Sequence, residues 1–380
     1  MRYFLHINII VAVLLSGLGC EEKLVLTTSG VKLKVGVIVP ITGSYAIIGQ
    51  QGIEGLKAAN QLQPILDNGD QIEFIIEDDQ SDPEKSVAAM EKLANTDQVS
   101  AVILLSGSES ALAVAKVANR YKTPIITSIA TNPKITRDSH FLNQLAFDDD
   151  TQAVVAALFV RDELYIDRVA VFSDKENEYS NYLAKKFASK FKSVGGSVTD
   201  FISLTNDAPV NYREIIRKIR AKDPVLLYIP IKINSILAIA KTSKDQGWSP
   251  QMLATEGMLS LAIEEIKDDL ALIDGMYATD MYSSDMDLSK YGEKIFSVID
   301  SSKRTTYSLA AVEGYGYLFN AINNCESPRS RACINSAIRS SSNYTGITGI
   351  ISIDADGEAE RTLFINKIEG EQLKLVVRVN

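Results

Sequence analysis

Residues 72–105 read IEFIIEDDQSDPEKSVAAMEKLANTDQVSAVILL and predict one strand–helix–strand unit. The apolar runs 72–76 and 99–105 have the composition of buried strands. Between them, Asp82 is placed to cap a helix whose first position is Pro83, which is the usual chemistry of a helix start. A helix that joins two strands in this way predicts that the strands run parallel.

The same alternation of strands and helices extends along most of the chain. Helices are predicted near 49–62, 110–121, 151–164, 181–194, 212–220 and 235–246, and strands near 33–39, 124–127, 168–172, 198–204, 225–229 and 251–254. The C-terminal part differs, with helices near 288–300, 305–324 and 330–341, then strands near 349–354, 362–368 and 372–379. The fold class is therefore α/β, with parallel sheets covered by helices on both faces.

Length and charge limit the architecture and the partners. The chain has 380 residues, and the globular part of about 350 is more than one hydrophobic core normally organises. We therefore expect two domains, with a ligand cleft at the carboxyl ends of their parallel strands. The net charge of −9 argues against a nucleic-acid partner.

The N-terminus has the features of a secretion signal. Residues 1–19 contain Arg2 and then the apolar run Ile9–Leu15, which is too short to span a bilayer. Cys20 follows a small residue and resembles the acylated cysteine of a bacterial lipobox, although Leu18 is displaced by one position. We expect lipidation of Cys20 and a tether over 20–30, with simple cleaved secretion as the alternative, so membrane attachment is by lipid only.

The remaining cysteines and the histidines indicate a disulfide but no metal or cofactor. Cys325 and Cys333 lie eight positions apart and are expected to pair in an oxidising compartment, whereas in the cytosol they would be free thiols. His6 and His140 are the only histidines, so neither a metal site nor a Ser-His-Asp arrangement is expected. With no phosphate loop and no Gly-x-Ser-x-Gly elbow, the sequence does not predict an enzyme.

Polar loops at predicted strand ends have the chemistry of a ligand site. Ser108 and Ser110 open a helix, where hydroxyls and free N–H groups suit a carboxylate; alternatively, one of them only caps the helix. The loop 128–133 offers a carbonyl and a hydroxyl, and Glu256 offers a carboxylate at a strand end of the other domain. Together these loops would complement a zwitterion.

At these loops the sequence resembles the leucine/isoleucine/valine-binding protein family, the type I periplasmic binding proteins of branched-chain amino-acid ABC transporters. The likeness runs from about Leu33 to the C-terminus, and the stretches that carry it are EDDQSDPEKSVAAMEKL, VSAVI, SIATNPKIT, DKENEYSNYLAKKF and MLATEG. It implies a two-lobed fold, each lobe a mostly parallel sheet flanked by helices, with three inter-lobe crossovers near 147–150, 275–280 and 344–349. Lobe 1 would be 31–147 plus 278–345, and lobe 2 148–277 plus 346–380.

The resemblance also implies roles for individual residues. Ser108 or Ser110 and Thr131 would hold the ligand α-carboxylate, and Ala130, through its carbonyl, and Glu256 would hold the α-ammonium. Tyr179 would close over the ligand from lobe 2; alternatively, it is a surface aromatic residue at a helix start.

Two residues depart from the leucine-binding pattern. Ile48 stands where those proteins have a tryptophan, and Lys232 follows Pro230 near the position of a pocket tyrosine. Lys232 would neutralise Glu256, bind an acidic ligand side chain or remain solvated. These changes put leucine itself in doubt.

The family implies a periplasmic or other extracytoplasmic receptor of an ABC transporter, anchored by lipid and monomeric. Its partners would be a small ligand, such as an amino acid, amide or small acid, and a permease in the inner membrane. The alternative is a non-transport envelope lipoprotein of the same fold that regulates an enzyme or receptor through protein contacts.

Overall fold

Two large β-sheets organise the chain. The computed structural model describes residues 30–205, 209–265 and 267–380. The predicted signal 1–19, Cys20 and nearly all of the tether 20–30 lie outside the described residues. Among the described helices, none has both the length and the hydropathy that a membrane span requires.

The elements follow one another in the predicted rhythm. The strands are β1 Lys32–Val39, β2 Gln71–Asp78, β3 Ala101–Leu104, β4 Ile125–Thr127, β5 Leu142–Gln144, β6 Arg168–Asp174, β7 Ser197–Leu204, β8 Leu226–Tyr228, β9 Gln251–Ala254, β10 Tyr277–Asp280, β11 Tyr344–Thr345, β12 Ile350–Ile353, β13 Ala359–Glu360, β14 Leu363–Glu369 and β15 Gln372–Val379. The helices are α1 Ala46–Leu62, α2 Pro83–Glu91, α3 Ser108–Tyr121, α4 Lys134–Arg137, α5 Asp149–Leu158, α6 Glu178–Ser193, α7 Tyr212–Arg220, α8 Ile233–Asp245, α9 Met258–Glu265, α10 Lys290–Val298, α11 Thr306–Asn323 and α12 Arg331–Arg339.

The first sheet is entirely parallel, in the order β2-β1-β3-β4-β5. The predicted start of α2 is confirmed, since the Asp82 carboxylate accepts a hydrogen bond from Glu84 N at 2.9 Å and Pro83 is the first helical residue. Helix α11 packs closely on α1: a Cβ on Gly55 would come within 2.0 Å of the Ser308 carbonyl oxygen, so only glycine fits there. This packing ties the C-terminal helices to the first sheet.

The second sheet has the order β15-β14-β10-β9-β8-β6-β7. Strands β6 to β10 are parallel, whereas β14 and β15 form the predicted antiparallel hairpin at the edge. Glu369 pairs with Gln372, and Gly370 has a positive φ of 62°, a conformation that suits glycine in a tight turn. We call the bodies around the first and second sheets lobe 1 and lobe 2.

A small third sheet, in the order β11-β12-β13, belongs to lobe 1. The Gly357 carbonyl accepts a hydrogen bond from Gln144 N at 2.8 Å, and Thr136 Oγ1 donates to Glu358 at 3.1 Å. The lobe boundaries stay a proposal. Because these contacts hold the third sheet on lobe 1, we place the third crossover between the lobes around Arg361 rather than at 344–349. Strand β10 belongs to the second sheet, so we place the second crossover after Asp280.

The expected disulfide between Cys325 and Cys333 is present, with the two Cα atoms 5.8 Å apart. It joins the end of α11 to α12 within lobe 1. The pair therefore stabilises the C-terminal helices of lobe 1 and lies away from the edges of the two large sheets where the lobes meet.

Candidate functional site

A cavity of about 790 Å³, counting the space at its mouth, lies between the lobes at the carboxyl ends of the lobe 1 strands. Six of the predicted site residues line it: Ile48, Ser108, Ser110, Thr131, Tyr179 and Glu256. The further lining residues, which were not predicted as site residues, include Tyr45, Glu109, Asn177, Met258 and Tyr307. The described lining contains no Lys, Arg or His, so any charge that it carries is negative.

The N-terminus of α3 faces this cavity without a side-chain cap. The N-cap residue is Gly107, so the interpretation that Ser108 or Ser110 caps the helix is wrong. In the described part of the chain, the amide N–H groups of Ser108, Glu109 and Ser110 donate to no acceptor. Free N–H groups at the positive end of a helix dipole form a site for an anion.

Hydrogen-bond counting separates the two serines. The Ser108 oxygen accepts from the N–H groups of Thr131 and Asn132 at 3.4 and 3.3 Å, so its own hydrogen is left for the cavity. Ser86 Oγ lies 2.8 Å from both Asp79 Oδ2 and Ser110 Oγ. Because the charged acceptor takes the single hydrogen of Ser86, Ser110 must donate to Ser86. Ser108 is therefore the better hydroxyl donor towards a ligand.

Thr131 adds a second hydroxyl to this wall. The residue is 1% exposed, and among the described residues its Oγ1 forms no hydrogen bond of good geometry, its nearest acceptor being the Asp149 carboxylate. A buried polar atom without a partner costs free energy unless a ligand or water satisfies it. Ala130, by contrast, is buried with its side chain in the lobe 1 core and is not part of the lining.

Glu256 provides the opposite wall. It lies just after β9 and is 7% exposed, and its Oε2 accepts from Gln152 Nε2 at 2.6 Å and from Tyr179 OH at 2.7 Å. It forms no ion pair in the described part of the chain. Burial raises the pKa of Glu256 to about 7, although the hydrogen bond from Tyr179 acts in the opposite direction. The Tyr179 phenol is thus tied to the carboxylate rather than to solvent.

A second buried carboxylate, Asp149, lies close to this wall. Its N–H donates to the Thr131 carbonyl at 2.8 Å, and the Thr131 side chain is the one group near enough to hydrogen-bond its carboxylate among the described residues, although the angles are poor. Burial, and then the charge of Glu256, raise the pKa of Asp149 well above its usual range. The Tyr228 hydroxyl is also buried without a partner in the described structure. These groups form an acidic region that no cation among residues 30–205, 209–265 and 267–380 pairs with.

Lys232 does not supply that cation. It is the exposed N-cap residue of α8, and its Nζ lies 5.1 Å from the centroid of the Tyr45 ring. It is not part of the cavity lining and forms no ion pair with Glu256. The interpretation in which Lys232 neutralises Glu256 therefore has no geometric support, whereas contact with a ligand side chain stays a prediction because Lys232 lies over Tyr45, a residue of the lining.

The lobes touch across the mouth of the cavity, so the structure is in a closed arrangement. Glu109 of lobe 1 accepts a hydrogen bond from Glu178 N of lobe 2 at 2.9 Å, and Asn177 donates to the Tyr45 hydroxyl at 3.0 Å. Lys134 and Glu178 form an ion pair at 3.3 Å. These contacts join the start of α6 to the cavity wall of lobe 1.

The acidic region predicts how stability depends on pH. The folded-state pKa is about 7 for Glu256 and about 6 for Asp280, both raised above their unfolded values mainly by burial. Groups with raised pKa bind protons in the folded state, so their contribution to stability is lost as pH rises through the folded pKa. Replacing one such group by a neutral side chain should reduce the pH dependence of the free energy of unfolding.

We expect the free energy of unfolding of the ligand-free protein to fall between about pH 4 and pH 8, and Glu256→Gln to remove on the order of 3 kcal/mol of that fall. Urea unfolding at several pH values measures the free energy of unfolding of the wild type and of Glu256→Gln. Parallel pH curves for wild type and Glu256→Gln would contradict the burial of an ionisable Glu256.

Comparisons with known proteins agree with this geometry. Residues 32–372 match the sequence profile of a family described as periplasmic binding protein. An amino acid binding protein of Pseudomonas aeruginosa is 23% identical over 299 residues, which cover 75% of this chain and 78% of that protein.

Solved structures share the fold. A leucine binding protein from Thermotoga maritima has a TM-score of 0.82 and 24% identity, covering 92% of this chain and 99% of that one. A solute binding protein of an ABC transporter from R. palustris, in complex with 4-hydroxybenzoate, has a TM-score of 0.81 and 20% identity, covering 92% and 97%. The predicted two-lobed α/β fold is thereby confirmed.

Proposed function

Because the chain belongs to the periplasmic binding protein family, we propose that it is the solute-binding receptor of an ABC transporter. The observation that carries the proposal is the polarity of the cavity. One lobe presents free N–H groups and hydroxyls, and the other presents an uncompensated carboxylate. A small molecule that bears both a carboxylate and an ammonium group complements both walls.

The ligand is an amino acid with an apolar side chain. Its carboxylate accepts hydrogen bonds from the N-terminus of α3, Ser108 and Thr131, and its ammonium group lies against Glu256. Part of the remaining lining is apolar or aromatic and suits an aliphatic or aromatic side chain: Ile48, Leu105, Ile129, Met258 and Tyr307. The same lining also holds Ser81, Ser106, Glu109 and Asn177. Because the lining has no basic residue, a second acidic group on the ligand would be disfavoured.

An aromatic acid without an ammonium group fits this cavity less well. The R. palustris neighbour binds 4-hydroxybenzoate, so the fold accepts such ligands. In this chain, however, a ligand without a cation would leave Glu256 and Asp149 desolvated and unpaired, which is costly. The relative named amino acid binding protein points in the same direction.

Ligand binding stabilises the closed arrangement because the ligand contacts both lobes at once. The permease of the transporter would recognise that closed form. We place the mature protein outside the cytoplasm, held by a lipid on Cys20, as a monomer without enzymatic activity. The alternative function is regulation of an enzyme or receptor, and it would be favoured if Ile48 and Lys232 made the cleft unable to hold a ligand. Ile48 lines the cavity without filling it, and Lys232 is not in the lining, so no observation favours this alternative.

Isothermal titration calorimetry with a panel of ligands tests this proposal. We expect binding of leucine, isoleucine, valine, alanine or phenylalanine, and much weaker binding of glutamate, lysine, benzoate and 4-hydroxybenzoate. The absence of heat from every amino acid at millimolar concentration would overturn the assignment. Binding of the benzoates alone would show that the acidic wall does not select an ammonium group.

A further inference from the structure

The lobes are joined by three chain segments, and one buried ion pair lies where they meet. The first crossover follows β5, the second follows β10 and the third precedes β14. Arg361, in the third of these, pairs with Glu313 of α11, with Nη1 3.0 Å from Oε2. The side chains are 1% and 0% exposed. Few buried ion pairs of proteins are so completely removed from solvent.

Arg361 contacts both of the other crossovers. Its Nη1 donates to the carbonyl oxygen of Leu145, in the first crossover, at 3.3 Å, and its Nη2 donates to that of Met281, in the second, at 3.5 Å. Its guanidinium carbon lies 5.3 Å from the centroid of the Tyr282 ring, also in the second crossover. A single side chain therefore links all three connections between the lobes.

Glu313 fixes this arrangement to lobe 1. Its Oε2 accepts from the Tyr282 hydroxyl at 2.6 Å, and its Oε1 accepts from the backbone N–H of Ile347 at 2.9 Å. The carboxylate therefore holds the second crossover and the segment between β11 and β12 at the same time. Its position on the long buried helix α11 keeps it stationary relative to the lobe 1 core.

Stability alone is a weak reason for such a pair. Removing two charges from water is costly, and a buried ion pair is often no more stabilising than apolar side chains of the same volume. Its distinctive property is geometric, because the planar guanidinium donates in several fixed directions at once. A lysine would keep the charge but would not reach the two carbonyls together.

We propose that Arg361 is a positioning residue that holds the three crossovers in register and so sets the equilibrium between the open and closed lobes. In the closed arrangement its two terminal nitrogens bind the first and second crossovers, while its Nε has no partner among the described residues. Loss of these contacts frees the crossovers to move independently, which lowers the population of the closed form. The apparent affinity for a ligand falls in proportion to that population.

Arg331 offers a matched control. Its guanidinium likewise donates to backbone carbonyls, in this case the three of Ala94, Val99 and Tyr121, but all of them are in lobe 1. Arg331→Lys therefore removes the same kind of contact without affecting a crossover. Both lysine variants are expected to lower the melting temperature.

The test measures the distance between the lobes with spin labels on Lys116→Cys and Lys241→Cys, two exposed positions on α3 and α8. In the ligand-free protein, Arg361→Lys should broaden the distance distribution and shift it to longer distances, whereas Arg331→Lys should leave it unchanged. The Kd of the tightest-binding amino acid of the panel should rise at least about fivefold in Arg361→Lys only.

An unchanged distance distribution in Arg361→Lys, or an equal shift in both variants, would overturn the proposal. If Arg361→Lys does not fold, the double variant Glu313→Leu with Arg361→Met fills the same space without charges. The distances between its spin labels then test the proposal in the same way. Only the affinity measurement rests on the proposed function, because it requires that the protein bind an amino acid. The distances need no ligand, so they distinguish failure of this inference from failure of the proposed function.

Discussion

Replacing Glu256 by Gln should weaken the binding of an apolar amino acid by about ten- to 150-fold, since a charge-assisted hydrogen bond contributes about 1.5–3 kcal/mol. Gln keeps the size of the side chain and an oxygen that can accept from the Tyr179 hydroxyl, which lies 2.7 Å from Glu256 Oε2 in the wild type. What is lost is the negative charge opposite the ligand ammonium. Calorimetric titration at pH 8, above the pKa of about 7, keeps the wild-type carboxylate ionised.

Glu109→Gln is the control for this result. Glu109 also lines the cavity, but its carboxylate accepts from the backbone N–H of Glu178, a contact that Gln can preserve. We expect its Kd to stay within about threefold of wild type, because long-range charge effects at a partly solvated site are small. Unchanged affinity in Glu256→Gln would remove Glu256 from the site. Equal losses in both variants would indicate a general effect of charge.

The second large effect is expected at Asp149, with opposite signs for affinity and stability. Asp149→Asn should weaken amino-acid binding by about tenfold or more, because the acidic region that faces the ammonium loses one of its two carboxyl groups. It should also stabilise the ligand-free protein by about 1–3 kcal/mol, because a buried carboxyl group whose ionisation is opposed by burial is replaced by a neutral amide. Titration and urea unfolding measure the two quantities.

The neighbouring Asp148→Asn is the matched control. Asp148 caps α5, accepting from Thr151 N at 2.7 Å, and Asn caps helices equally well. We therefore expect little change in either quantity. If Asp149→Asn instead destabilised the protein and left the Kd unchanged, Asp149 would be a structural residue with no part in ligand binding.

Most of the fold was predictable because its signals are local. The cap at Asp82, the apolar strand 99–105 and the turn at Gly370 each depend on a few neighbouring residues, and each appears where it was predicted. The short strands β5 and β10 were missed, because three or four residues carry too little periodicity. We propose a later third crossover than the sequence indicated, because the contact between Gln144 and Gly357 joins residues that are distant in sequence.

The site was only partly predictable for a similar reason. Strand-end loops identified Ser108, Thr131 and Glu256 as candidates, and the family resemblance added Tyr179. The structure brings these four into one cavity, although their roles stay a proposal. The choice between Ser108 and Ser110 depends on hydrogen bonds that no local pattern encodes.

Asp149 was missed because it is the second of three consecutive aspartates at a helix start, where acidic residues are common. Only the tertiary structure shows that Asp148 caps the helix while Asp149 is fully buried. Tyr307 contributes to the lining from α11, which lies far along the chain from the strand-end loops. A list of candidate loops therefore could not contain either residue.

The most direct test of the account is a crystal structure of the purified protein with the molecule that it carries in the cleft. We predict density for a small amino acid whose ammonium group lies within hydrogen-bond distance of Glu256 and whose carboxylate meets the N-terminus of α3. A cleft occupied by the protein's own side chains, with Glu256 bonded to a cation of the chain such as Lys232, would contradict it.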